Sequence, residues 1–206
     1  MRTNSIKNII FDLGGVIINL SEERTLQSFS NLSGWTVEDL REQILNGDLY
    51  KKLEKGMISP SDFRDGVRGL LNVDSPDGSI DEAMNAMLLD IPTARIDLLK
   101  NLGNRFRLFL LSNTNEIHFE AFNRIVKETT GEKSINIFFE KAYYSHLVHM
   151  RKPDVEIYEL VVSENALDTS ETLFLDDNAV NLKGAESLGI QTVHVNNSSI
   201  IFDLFG

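Results

Sequence analysis

Four short stretches of this chain carry residue types that handle phosphoryl groups and divalent cations. Asp12 ends the apolar run Ile9-Ile10-Phe11 and is followed, after Leu13, by Gly14 and Gly15. Ser112-Asn113-Thr114 follows a second apolar run, Lys152-Pro153 stands further on, and Asp176-Asp177-Asn178 ends a third run, with Asn181 one helical turn later. Three carboxylates brought together repel one another unless a cation sits among them. An all-oxygen, His-free cluster suits Mg²⁺, a hard ion that keeps several waters and bridges to phosphate oxygens. A hydroxyl with backbone N–H groups at a strand-to-helix turn suits phosphate oxygens, and a Lys adds compensating charge. An Asp can also attack phosphorus itself, which splits one hard displacement into two easier ones.

Such residues act together only if the fold gathers them. The runs ending at Asp12, Phe106–Leu111, Lys141–Tyr144, Thr172–Leu175 and Gln191–Val195 read as short buried strands bounded by polar residues or Gly. Helical patterns alternate with them. Pro92 opens one through Leu102 that Gly103 closes; Asn115–Lys127 is apolar on one face; Pro153 suits the first turn of a helix through Val162; Asn178–Leu188 ends at Gly189. The alternation predicts an α/β fold, a Rossmann-like parallel sheet covered on both faces. Ligands in such sheets sit at the carboxyl ends of the strands, where Asp12, Ser112, Ser145 and Asp176 all fall.

The stretch from Asn19 to Asp90 has no strand-like run. It carries helix starts instead: Ser21 before two Glu, Thr36 before Asp39, Ser59-Pro60-Ser61-Asp62, and Ser79 three residues before Glu82. The expected organisation is an α/β core of residues 1–18 and 91–206, with an all-helical cap of residues 19–90 inserted after the first strand. Placed over the strand ends, such an insertion is a candidate lid.

Each motif also has a plain reading. An Asp before Gly-Gly serves turns, Ser-Asn-Thr caps a helix, Lys-Pro starts a solvated helix, and Asp-Asp-Asn complements a helix dipole. It is their common edge and consistent order that argue for a site.

Composition narrows the partners. With 206 residues, 42% hydrophobic, 25% charged and a net charge of -11, the chain is ordinary for a globular domain and lacks the basic face that nucleic acid or an anionic membrane requires. It has no Cys, which excludes disulfides and thiolate metal sites. Asp12 interrupts the N-terminal apolar run before a signal sequence forms, and no run is long enough to span a membrane, so a cytoplasmic location is expected. Oligomeric state has no signature here.

The order Phe-Asp-Leu-Gly-Gly-Val, Leu-Leu-Ser-Asn-Thr-Asn, Arg-Lys-Pro and Phe-Leu-Asp-Asp-Asn-Ala-Val-Asn resembles the four motifs of the haloacid dehalogenase-like hydrolase superfamily. The resemblance spans nearly the whole chain, with the helical insertion at the place of that family's first-position cap. Within the superfamily it looks most like the α-glucose-1-phosphate phosphatases and the phosphatase domain of soluble epoxide hydrolases. The resemblance implies a Mg²⁺-dependent phosphatase of a small phosphorylated metabolite, a sugar phosphate among the fitting classes, working through an aspartyl-phosphate on Asp12. It implies phosphate binding by Ser112, the Asn113 backbone and Lys152, with Lys152 also catalytic in neutralising Asp12 and the transferring group. The implied metal ligands are Asp12, the Gly14 carbonyl and Asp177, with Asp176 as a further ligand or neighbour, and Asn181 gives a supporting hydrogen bond.

Gly14 departs from the pattern. Many family phosphatases carry an acid there that protonates the leaving group and then activates water, help worth about 10²–10⁴ in rate. Two other readings follow from its absence. One is a haloacid dehalogenase-type hydrolase, which uses no metal; the other is a phosphoryl-binding protein that has lost turnover. His146 and His149 read as surface or partly packed residues, His118 as a packed residue that could reach the site mouth, and Phe138, Phe139, Tyr143 and Tyr144 as core.

Overall fold

The computed structural model describes residues 5–197 and 199–205. Five strands, β1 (Asn8–Phe11), β2 (Arg107–Ser112), β3 (Lys141–Tyr144), β4 (Thr172–Asp176) and β5 (Gln191–His194), form one parallel sheet in the order β3-β2-β1-β4-β5. Side chains alternate across a strand, and the sequence is apolar in both phases. Ile9, Phe11, Leu108, Leu110, Leu173 and Leu175 point into one core, and Ile10, Phe109, Leu111 and Phe174 into a second on the opposite face. That is why these strands read as unbroken apolar runs rather than alternating ones.

The strand order reverses direction at β1. Its neighbours β2 and β4 lead outward to opposite edges, so the crevice beyond the carboxyl ends of β1 and β4 is the topological switch point of the sheet. Asp12 and Asp176 stand at those two ends.

Helices α1 (Glu22–Ser33), α2 (Val37–Leu40), α3 (Asp48–Glu54), α4 (Pro60–Leu71) and α5 (Asp77–Asn85) lie between β1 and the rest of the sheet, with a π-helical turn over Arg41–Leu45 joining α2 to the α3 region. They close their own apolar core from Leu26, Phe29, Leu40, Leu53, Phe63, Val67, Ile80 and Met84. Ile117 enters this core from the sheet side. Where the chain leaves the sheet layer and returns to it, Leu20 and Leu88 form an antiparallel bridge. There Asn19 donates its N–H to Asp90 O, and Leu89 donates to Asn19 O, each at 3.0 Å. The two crossings are thus stitched to each other.

The remaining helices are α6 (Thr93–Gly103), α7 (Glu116–Thr130), α8 (Ser145–Val148), α9 (Val155–Glu164), α10 (Ala179–Glu186) and α11 (Ile200–Phe205). Four sequence expectations shift. Helix α6 runs one residue further than expected, taking in Gly103, and Asn104 is its right-handed C-cap. The helix at Asn115 runs on to Thr130 and stops at Gly131, whose φ of 79° ends it. Pro153 precedes α9 instead of opening it: the Lys152-Pro153 peptide is cis, and Asp154 is the N-cap. Ser79 lies inside α5, which begins at Asp77 after Pro76.

Candidate active site

Asp12 is fixed by its backbone first. Its N–H donates to Leu175 O at 2.9 Å, continuing the β1–β4 ladder one residue past the strand, and the N–H of Leu13 donates to Asp12 Oδ1 at 2.7 Å. The chain then turns tightly, with the N–H groups of Ile17 and Ile18 both donating to Leu13 O. Gly15 permits this turn at φ 67°, and a Cβ there would lie 2.1 Å from Asp177 Oδ2, so only glycine lets the first loop and the fourth-strand carboxylate come this close.

Lys152 is the cation of the site and is 1% exposed. Its Nζ lies 2.8 Å from Asp12 Oδ1, 2.6 Å from Asp176 Oδ2 and 2.9 Å from Leu111 O. The loop that carries it is held by a two-way exchange with Asn113: Asn113 Nδ2 donates to Lys152 O at 2.9 Å, and Lys152 N–H donates to Asn113 Oδ1 at 2.8 Å. The next loop is tied in similarly. Ser145 Oγ accepts from Thr114 N–H and donates to Thr114 O, both at 2.9 Å. The Asn113 side chain and Ser145 therefore tie the loops after β2 and β3 to each other and to Lys152, a role that no local motif announces.

The paired acids differ sharply. Asp176 is fully buried and surrounded by donors: Lys152, the Asn178 N–H at 2.8 Å, and Asn181 Nδ2 at 3.0 and 3.1 Å from its two oxygens. Asp177 instead opens onto a cavity of about 460 Å³ that also bears Gly14, Ser112, Asn113, Lys152 and Asn181. Ser112 Oγ makes just one long contact, 3.5 Å to Asn113 O, among the described residues, which leaves its hydroxyl open to a ligand. All the expected site residues thus meet at the switch-point crevice.

Asp12, Asp176 and Asp177 each offer an oxygen within 4.8 Å of the others. Against one ammonium, three ionised carboxylates leave two uncompensated negative charges. Burial, with Asp176 and Asp177 nearby, pushes the Asp12 carboxyl up to about 8 despite the opposing pull of Lys152. Burial and Asp176 push Asp177 up as well. Lys152 is held above its ordinary value, since its two carboxylate partners outweigh its own desolvation. The donor set, the excess charge and the glycine cradle beside Asp177 all fit a hard divalent cation such as Mg²⁺.

At Gly14 an added Cβ would stand 2.6 Å from Leu20 Cδ1, so a leucine tip fills the space where a side chain would begin. His118 does line the cavity, but both ring nitrogens are committed: Nε2–H donates to Met84 O at 3.1 Å, and Nδ1 accepts from Asn115 Nδ2 at 3.2 Å. Burial pushes its imidazole down to about 4, so it stays neutral at pH 7. His146 packs against Phe119 and Tyr144, and exposed His149 donates Nδ1–H to Lys55 O.

Sequence reasoning left out the opposite wall of the cavity. Helix α3 presents Tyr50, Lys51 and Glu54 to it, and Arg151, next to Lys152, faces them. Arg151 grips Glu54 Oε2 through Nε at 3.1 Å and an η nitrogen at 2.8 Å. Lys55 reaches Asp154 at 2.9 Å. The end of α3 is thereby pinned to the loop around Lys152.

Comparison with known proteins agrees with this geometry. The family model for haloacid dehalogenase-like hydrolases matches residues 6–189. A D-ribitol-5-phosphate phosphatase of Bacteroides thetaiotaomicron is 27% identical over 195 residues, covering 94% of each chain. A HAD-family enzyme from the same organism, crystallised with magnesium and inorganic phosphate, superposes with a TM-score of 0.85 at 37% identity, covering 91% of this chain and 93% of that one. A HAD-like hydrolase of Porphyromonas gingivalis gives a TM-score of 0.83 at 30% identity, covering 92% and 91%. No helix among the described residues is long and apolar enough to cross a membrane.

Proposed function

The chain belongs to the haloacid dehalogenase-like hydrolase family, and from that membership we propose a Mg²⁺-dependent phosphatase that transfers the phosphoryl group of a small polyhydroxy or sugar phosphate through Asp12. The observation that carries the reading is the seating of Asp12 beside Lys152, Asp176 and Asp177 at the switch point, with the open hydroxyl of Ser112 at the carboxyl end of the neighbouring strand β2. The similarity to a D-ribitol-5-phosphate phosphatase and to a structure holding magnesium with phosphate supports it.

In this mechanism Ser112 and the Asn113 N–H bind phosphate oxygens and set the phosphorus before Asp12. Lys152 holds the Asp12 carboxylate and offsets charge on the transferring group. Asp12 attacks, the ester oxygen leaves toward α3, and water then cleaves the aspartyl-phosphate. Mg²⁺, held by Asp12, Asp177 and the Gly14 carbonyl with Asp176 alongside, would balance the excess carboxylate charge and draw phosphate oxygens into place. Asn181 keeps Asp176 oriented. Residues 19–90 serve as a cap whose α3 closes the cavity. The wall formed by Asn46, Tyr50, Lys51, Glu54 and Arg151 offers hydrogen bonds to hydroxyls, which favours a polyol or sugar over a hydrocarbon substrate. A metal-free dehalogenase would have no use for the carboxylate cluster.

The test is phosphate release from a panel of sugar, polyol, nucleotide and prenyl phosphates, with Mg²⁺ and with EDTA, beside Asp12→Asn. Metal-dependent turnover of a polyhydroxy phosphate, lost in the variant, is expected. No release from any member, or release unchanged by Asp12→Asn, would overturn the proposal. Phosphoryl binding without release would identify a sensor instead.

A further inference from the structure

The reaction needs a proton for the departing oxygen and a base for the incoming water, and Gly14 can supply neither. We propose that Glu54, reaching down from α3, is the general acid–base of this site; the inference rests on the phosphatase reading above. Among the described residues, the carboxyl groups on the cavity wall are Glu22, Glu54 and Asp177. Asp177 belongs to the metal cluster. Glu22 is exposed and paired with Arg41 at 2.6 Å. Glu54 is buried at 5% exposure, and its two oxygens are treated differently. Oε2 is held by the Arg151 fork, whereas Oε1 has no hydrogen-bond partner among the described residues.

The chain on either side of Glu54 keeps it there. Lys55 pairs with Asp154, its carbonyl accepts from His149, and Gly56, at φ 61°, passes so close to His146 O that a Cβ would approach it to 2.2 Å. Glu54 is thus built onto the loop of Lys152 although it comes from the helical layer. Its alternatives in the cavity are poorer: His118 has both nitrogens occupied, and Tyr50 is half-buried with its phenol pushed further up by desolvation and by the nearby Glu54 and Glu22 carboxylates. The groups facing Glu54 are Arg151 and Lys152 from the loop and Lys51 and Tyr50 from its own helix. Burial raises its carboxyl while the cations oppose this.

The steps balance. As Asp12 forms its bond to phosphorus and the P–O bond to the alcohol breaks, the proton on Glu54 Oε1 passes to the departing oxygen, giving the free alcohol and a Glu54 carboxylate. Water then attacks the aspartyl-phosphate and gives its proton to Oε1. The Asp12–phosphorus bond breaks, and phosphate leaves with Glu54 protonated again.

Leaving-group dependence tests this, because an alkoxide needs a proton and p-nitrophenolate does not. The alkyl phosphate of the panel that the wild type hydrolyses fastest and p-nitrophenyl phosphate are compared at saturating Mg²⁺ for wild type, Glu54→Gln and Glu54→Asp. We expect Glu54→Gln to lower kcat/KM, which reports the steps up to the aspartyl-phosphate, about 10²–10⁴-fold on the alkyl ester and less than about tenfold on the aryl ester, while the shared hydrolysis step lowers kcat on both; Glu54→Asp should partly restore the alkyl kcat/KM. The alkaline limb of the wild-type alkyl profile, where Glu54 loses its proton, should disappear in Glu54→Gln. Equal losses of kcat/KM on both esters with an unchanged pH profile would make Glu54 a clamp between the layers and overturn the assignment. A wild-type protein that releases phosphate from no member of the panel would instead remove the phosphatase reading itself.

Discussion

Asp12→Asn should stabilise the metal-free protein while abolishing its turnover, by an amount that grows with pH. The folded chain holds the Asp12 proton to about pH 8 against an ordinary value of 3.8. A group that binds its proton more tightly when folded contributes full stability below its unfolded value, and that contribution is lost as pH rises toward the folded value. At about 1.36 kcal/mol per pH unit, keeping Asp12 ionised in the metal-free fold at pH 8 costs on the order of 5 kcal/mol. Asn escapes this term, in which the pull of Lys152 across 2.8 Å is already counted. Lys152 keeps Asp176, so the net gain at pH 8 is on the order of 5 kcal/mol. For a chain of this length that is a melting-temperature gain of roughly 10–20 °C. The assay is thermal unfolding of both proteins in EDTA from pH 5 to 8. The difference should widen steadily across that range. Saturating Mg²⁺ should then lift the wild type selectively, by about 2.7 kcal/mol at a hundredfold excess over Kd. A difference that stays flat with pH, or an Asn variant less stable than wild type at pH 8, would refute the reasoning.

Two further outcomes follow from the geometry. Gly15→Ala places a Cβ on the Asp177 carboxylate at a left-handed φ; it should cost about 1–2 kcal/mol in stability and weaken Mg²⁺ binding at least about tenfold, as read by calorimetry. The His118 imidazole, pushed down to about 4, should remain neutral by NMR at pH 5. Its stabilising share is present above its unfolded value of 6.5 and is lost as pH falls toward 4, so His118→Gln should flatten the acid side of the stability profile.

What the sequence disclosed follows the range of the forces involved. The five strands were legible because burial on both faces makes each an apolar run, and a one-residue error at an end, as at Arg107–Ser112, leaves Ser112 at its carboxyl end. Asp12, Ser112, Lys152 and Asp177 could be placed at one edge because a parallel sheet aligns strand ends whatever the loops do. Helix α3 was not legible. Its seven residues follow Gly47 with no side-chain cap, and Tyr-Lys-Lys-Leu-Glu reads as a solvated face. The pairing of Glu54 with Arg151 joins residues 97 positions apart, and only the packing of the helical layer creates it. The Asn113 exchange with Lys152 is equally non-local, spanning 39 positions. The start of α9 escaped for a different reason: proline opens helices often, but here it belongs to the turn that delivers Lys152 to the crevice.

The central claim is that Asp12 carries the phosphoryl group. It is tested most directly by acid-quenching the enzyme during turnover of the member of the phosphate panel that it hydrolyses fastest, with Mg²⁺, and mapping its peptides by mass spectrometry. A phosphoryl group on the peptide containing Asp12, formed and lost on the timescale of turnover and missing from Asp12→Asn, is the predicted result. Steady phosphate release with no phosphorylated Asp12 peptide at any quench time would contradict it.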